Sequence, residues 1–248
     1  MKRYFLTLTL FTLFVVPNAK AAQLKIFVGA AMAEPVKEVD GNRSSVTTDT
    51  SGALQNRLRS GEKADVIIVA ATTMDALEKE ERIAPGTRID LARALIGVSM
   101  KAGAKVPDLS SVDAFKKAML GAKSISYVDP NAGGTLGAYI VELFRKMGIA
   151  DEMQKKTVFR NQASELADAV AKGDAEFGIT YRSEMLLNKG VKLAGMLPDA
   201  IQRATIYSGA VLAGAPNSDA ARAFLKAMTA PTGVAAMKEA GLEPLSLK

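Results

Sequence analysis

The chain has 248 residues, 48% hydrophobic and 23% charged, with 20 glycines and 9 prolines, which excludes a disordered, collagen-like or multi-span membrane protein. It holds neither Cys nor His, so Ser-His-Asp and Cys-His nucleophile systems and nearly all zinc, copper, haem and iron-sulfur sites are excluded. The formal charge is +6, with acids and bases interspersed and no basic run, so nucleic-acid binding has no support.

Met1-Lys2-Arg3, the uncharged run Tyr4 to Val16 and the small-x-small triplet Ala19-Lys20-Ala21 predict an export signal over residues 1–21, cleaved on the way to the periplasm. The apolar run is shorter than the roughly 20 residues that cross a bilayer. Cleavage would remove Lys2, Arg3 and Lys20 and lower the net charge to +3, a residual excess that mildly favours anionic ligands.

The rest of the chain alternates strands with helices. Leu24 to Val28 reads as a strand, Gly29 to Met32 as a small-residue turn, and Ala33 onward as a helix whose first turn accepts Pro35. Val46 to Thr48 is β-branched, and Thr50-Ser51-Gly52 opens a short helix ending near Gly61. Ala64 to Ala70 is a continuous apolar run, the pattern of a strand buried on both faces of a parallel sheet. Leu95 to Met100 repeats it. Val112 to Leu120 reads as a helix and Lys123 to Val128 as a strand; Asp129 to Gly134 is a loop, and Thr135 to Met147 a helix stopped by Gly148. Thr157 to Phe159, Phe177 to Tyr181 and Ala204 to Leu212 read as strands. Ser164 to Lys172, Asp219 to Met228 and Gly233 to Ala240 read as helices. This alternation predicts an α/β protein with parallel sheets.

Three strand-to-helix turns are built from small or hydroxyl residues: Gly29 to Met32, Thr50 to Gly52, and Gly133-Gly134-Thr135. Such turns sit at the carboxyl ends of strands, where α/β sheets bind ligands and where the first helical N–H groups attract an anion. Each turn is equally well explained as an ordinary helix start.

The order of these turns, with TSGALQNRLRSGEKADVIIVA (Thr50 to Ala70), AVAKGDAEFGITYRSE (Ala169 to Glu184) and the C-terminal AGLEPL (Ala240 to Leu245), resembles the periplasmic molybdate-binding protein family. The resemblance implies the class II periplasmic-binding-protein fold: two α/β lobes joined by two crossing strands, closing on a ligand in the cleft between them. It implies one lobe from 22–97 plus 210–248 and another from 98–209, with crossings near Leu95 to Met100 and near Thr205 to Leu212. The implied ligand contacts are Ala31, Met32, Thr50, Ser51, Asn131, Gly133, Gly134, Thr135, Ala163 and Tyr181. Several of these would act through backbone N–H groups.

Two departures from the family stand out. Ala31 occupies a position where the family has an oxyanion-binding serine, and Asp49 puts a carboxylate beside Thr50 and Ser51. Both favour an organic polycarboxylate over molybdate or tungstate. The leading expectation is therefore a monomeric, cofactor-free carrier of a small anion that delivers it to the membrane permease of an ABC transporter, with no metal site and no nucleic-acid partner. The alternative is an isomerase of a tricarboxylic acid such as aconitate, since the fold also resembles that of a periplasmic aconitate isomerase. Asp49 and Tyr181 are then the candidate proton-transfer groups, with Arg160 or Arg182 holding substrate carboxylates. A third reading is a receptor that reports ligand occupancy to a sensor protein.

Overall fold

A computed structural model describes residues 23–132, 134–185 and 188–245. The expected export signal lies outside them, as does the candidate contact Gly133.

The first half-lobe opens with β1 (Lys25–Gly29), a 3-10 turn over Ala30–Met32 and α1 (Ala33–Asp40), followed by β2 (Ser45–Asp49), α2 (Ser51–Arg59), β3 (Val66–Ala70), α3 (Ala71–Lys79) and β4 (Ile89–Ala94). The chain then crosses at Leu95 into β5 (Ile96–Lys101), α4 (Val112–Gly121), β6 (Ile125–Val128), α5 (Thr135–Lys146), α6 (Ala150–Lys156), β7 (Thr157–Arg160), α7 (Ala163–Lys172), β8 (Phe177–Tyr181), α8 (Arg182–Met185) and β9 (Val191–Met196). It returns through residues 197–204 to β10 (Thr205–Val211), α9 (Ser218–Thr229), α10 (Pro231–Glu239) and the short β11 (Glu243–Pro244).

Two sheets result, in the orders β11-β4-β10-β3-β1-β2 and β7-β6-β8-β5-β9. Each has the same plan. Three parallel strands (β2-β1-β3 and β7-β6-β8) are flanked by an antiparallel strand that arrives from the other lobe, β10 in the first sheet and β5 in the second. The sheets are therefore mixed rather than parallel as expected: a strand entering from the opposite lobe runs against the crossover-built trio. The second crossing also falls earlier than expected, because all of β10 pairs with β3 and β4 and so belongs to the first sheet. Residues 205–209, assigned from sequence to the second lobe, thus lie in the first.

The strand pleat explains the double burial read from the sequence. In β1 and β3, Ile26, Val28, Val66 and Ile68 face one apolar cluster with Val36, Phe224, Leu225 and Met228 of α1 and α9. Phe27, Ile67 and Val69 point the other way, onto Leu54, Leu58, Met74 and Leu77 of α2 and α3. Helices cover both faces, so every residue of β3 is buried. The second lobe does the same with Phe115, Ile140, Phe144 and Met153 around Ile125 and Tyr127, and with Leu166 and Val170 near Ile179.

Buried polar groups tie the pieces together. Asp65 accepts from the Lys25 N–H (2.9 Å) and the Asn217 N–H (3.0 Å), fixing the start of α9 against the sheet. Gln202, in the return crossing, accepts from the Ile96 N–H (2.9 Å) and donates to the Ile96 carbonyl (2.8 Å), so the two crossing segments are bound to each other by one amide side chain.

Several elements gave no sequence signal. Helix α3 begins directly after β3 with no capping side chain, β4 carries Asp90 and Arg93 among its six residues, and α6 is so charged that Met153 is its one buried position.

Candidate functional site

The parallel strands of both sheets point their carboxyl ends at one cleft, and the turns that follow them form its wall. A cavity of about 290 Å³ lies there. From the first lobe it is lined by Ala30 and Ala33 at the start of α1, by Glu34 and Lys37 one turn further on, and by Thr48 to Ser51 between β2 and α2. From the second it is lined by Gly134 to Leu136 at the start of α5, Gln162 to Ser164 at the start of α7, Val128, Tyr181 and Glu184. Tyr207 of β10 completes the wall. Four helix N-termini thus converge on one space.

Those termini differ in how their N–H groups are used. At α2 the Thr50 hydroxyl accepts from the Ala53 N–H (3.2 Å) and donates to the Ala132 carbonyl across the cleft (2.8 Å). Ser51 Oγ accepts from the Ala70 N–H (3.0 Å), which leaves the Ser51 proton free to be donated. At α5 and α7 no side chain caps the helix, so their first N–H groups remain open to a ligand, whereas at α1 the Ala33 N–H is donated to the Ala30 carbonyl and Pro35 has none.

Three carboxylates line the cavity, of which Glu34 is paired with Lys37 at 2.8 Å. Asp49 Oδ1 accepts from the Thr50 N–H (2.8 Å), and its Oδ2 lies 3.4 Å from the Arg57 guanidinium. Its charge is met by a cation and by a helix start. Glu184 is buried, with a hydrogen bond from Thr180 and no basic side chain paired with it among the described residues. Burial pushes its carboxyl up to about 7, against the lowering pull of hydrogen bonds from Thr180 and the Tyr181 backbone. Next to it, the Tyr181 hydroxyl is hydrogen-bonded to Thr205 (2.8 Å) and Thr135 (3.4 Å), and its ring packs edge-on against Tyr207 with centroids 6.2 Å apart. Burial raises the hydroxyl pKa of both tyrosines, so both stay protonated at neutral pH.

Of the residues expected from sequence, the fold brings Thr50, Ser51, Gly134, Thr135, Ala163 and Tyr181 together on this cavity, along with Asp49. Ala31 and Met32 do not line it: the 3-10 turn sends both into the apolar core and puts Ala30 and Ala33 on the wall instead. Asn131 is exposed and its N–H is held by Asp129 Oδ1 (2.7 Å) in a local turn. Neither proposed carboxylate-holding arginine reaches the cavity. Arg182 is exposed, and Arg160 bonds the Phe159 carbonyl and approaches Asp174. Lys37 is the cation on the wall, paired with Glu34 at 2.8 Å.

Glu184, Tyr207 and Gln162 went unnoticed in the sequence. Tyr207 sits mid-strand and reads as core. Glu184 left one usable signal, a carboxylate three residues beyond a buried strand where a new helix begins.

Comparison with known proteins bears on this arrangement. Residues 24–243 match the family described as bacterial extracellular solute-binding protein. The chain belongs to that family. It is 32% identical to an aconitate isomerase of a Pseudomonas species over 197 residues, covering 79% of this chain and 74% of the relative. It is 25% identical to the molybdate-binding protein ModA of Escherichia coli, covering 92% of each. Among solved structures, the periplasmic molybdate-binding protein of Azotobacter vinelandii superposes with a TM-score of 0.75 at 18% identity, over 91% of this chain and all of that one. The neighbours establish the class II binding-protein fold that the two sheets display.

Proposed function

We propose that this chain captures a small organic acid anion, a polycarboxylate rather than a metal oxyanion, in the interlobe cavity. It works in the periplasm as a monomer and hands the ligand to the permease of an ABC transporter. The observation that carries this reading is the convergence of four helix N-termini on one cavity of about 290 Å³. Open N–H groups at helix starts favour negative charge. The space is roomier than a tetrahedral oxyanion needs, and Ala33, Val128, Leu136 and the Tyr207 ring give it apolar wall for a carbon skeleton.

A second reading, isomerisation of a tricarboxylic acid, is favoured by Glu184 and by the similarity to an aconitate isomerase. Moving a double bond beside a carboxylate requires one proton to be removed and another returned two carbons along, at the other end of the allylic unit. A buried carboxyl titrating near neutrality can do both, and Glu184, not Asp49, fits that role. The neutral Tyr181 and Tyr207 hydroxyls could then support the charge that develops on the substrate carboxylate.

A thermal-shift screen against molybdate, tungstate, sulfate, citrate, cis-aconitate and trans-aconitate tests the first reading, because selective binding to the native state raises the melting temperature. Citrate or an aconitate should stabilise the chain. Stabilisation by molybdate and tungstate alone would overturn the organic-acid reading. NMR of an aconitate sample then separates carrier from enzyme: a carrier leaves the isomer unchanged for hours, whereas an isomerase equilibrates cis and trans forms.

A further inference from the structure

A second chamber of about 200 Å³ lies directly behind the first. The two share Thr135, Leu136 and Tyr181, and the Tyr181 hydroxyl, hydrogen-bonded to Thr135 and Thr205, stands in the partition between them. The rear chamber is lined by the start of α3, by Ile96 of the first crossing, by Arg203 and Ala204 of the return crossing and by Thr205 and Ile206 of β10. Arg203 is its one charged lining residue.

No ion pair engages Arg203 among the described residues. Its guanidinium rests over the Tyr139 ring, 5.3 Å from the centroid, and the Tyr139 hydroxyl is in turn held by the Ile201 carbonyl (2.6 Å). Stacking of this kind fixes the plane of the guanidinium while leaving its N–H edge to bind. Glu142, which feels the Arg203 charge, is itself paired with Lys146 at 2.8 Å. The Arg203 charge also reaches the Tyr181 hydroxyl in the partition.

Resting on the organic-acid reading above, we propose that the rear chamber is a subsite for a second, distal carboxylate of an elongated di- or tricarboxylic acid, held by Arg203. The helix starts of the front cavity hold the first carboxylate, and the Tyr181 side chain lies alongside the carbon chain that joins them. This subsite selects for the number and spacing of carboxylates, which the front cavity alone cannot measure. A planar guanidinium pairs with a carboxylate through two parallel N–H donors, so the lysine variant restores charge but not geometry.

Isothermal titration of the chain with trans-aconitate, citrate and the one-carboxylate analogue crotonate tests this. Arg203 is exposed, so Arg203→Gln should fold with an unchanged melting temperature in the absence of ligand. Its affinity for trans-aconitate or citrate should fall by about tenfold or more, with crotonate unaffected and Arg203→Lys intermediate. Unchanged trans-aconitate and citrate affinities in Arg203→Gln, or an equal loss for crotonate, would overturn the subsite and leave the organic-acid reading standing. Failure of the unaltered chain to bind any of the three would overturn that reading, and the subsite with it.

Discussion

The two lobes share a strand order and face one cavity with the same kind of turn, yet they bring opposite electrostatics to it. The first lobe braces its charges. Asp49 is tied to Arg57, Arg57 to Glu62, and Glu62 to Lys25, while Glu80 joins Arg59 to Arg82. The second lobe leaves a carboxyl, Glu184, buried at the cavity beside two protonated tyrosines. The two carboxylates differ in their surroundings and not in their distance to the cavity: Asp49 is paired with Arg57, and among the described residues no basic side chain is paired with Glu184.

The largest expected break in this comparison comes from titrating Glu184. Its carboxyl sits at about 7 in the folded chain against an ordinary value of 4.5. Below pH 4.5 it is protonated both folded and unfolded and costs nothing. As pH rises through 7 the folded chain must ionise a buried group, so stability is lost, by roughly 3 kcal/mol in all. Urea midpoints for the parent and Glu184→Gln at pH 5 and pH 8 measure this. The parent should lose stability relative to the variant at the higher pH, and parallel curves would sink the assignment. In the enzyme reading, Glu184→Gln also abolishes turnover while ligand still binds.

Gly137→Ala should come next, at about 2 kcal/mol. A Cβ there would stand 2.2 Å from the Val128 carbonyl oxygen, and backbone cannot swing away as a side chain can. The start of α5 would be pushed out of the cavity wall, so ligand affinity should fall together with the melting temperature. Thr50→Val should cost about 1 kcal/mol, because it removes the α2 cap. It also removes the bond to Ala132 across the cleft, so the lobes should open more readily, which small-angle scattering without ligand would detect as an increased radius of gyration. Asp49→Asn should be the mildest, below about 0.5 kcal/mol, since only a half-exposed ion pair is lost. It should leave ligand affinity unchanged or slightly tighter. A large loss of binding or turnover in Asp49→Asn would return Asp49 to the functional set and erase the distinction between the lobes.

Much of the site could be read in the sequence because local patterns wrote it there. Thr50, Ser51, Gly134 and Thr135 each follow a strand-like run and precede a helical one, and the carboxyl ends of neighbouring parallel strands all lie on one edge of a sheet; Ala163 came from the family resemblance alone. Burial on both faces of β3 was equally visible, as an apolar run with no polar break. Tertiary structure alone decided the rest. Whether Asp49 or Glu184 would be the unpaired carboxyl depended on Arg57, eight residues along α2, swinging back to one of them while no cation reached the other. That Tyr207 would line the cavity depended on β10 returning from the second lobe to lie beside β3, where its ring packs against the bare Cα of Gly29. The rear chamber exists because Arg203 and Tyr181, 22 positions apart, are brought together as the return crossing passes the end of β8. Spacing along a chain determines which face of an element a residue occupies; which charges and cavities that face then meets is set by contacts among residues far apart in sequence, and those have no local signature.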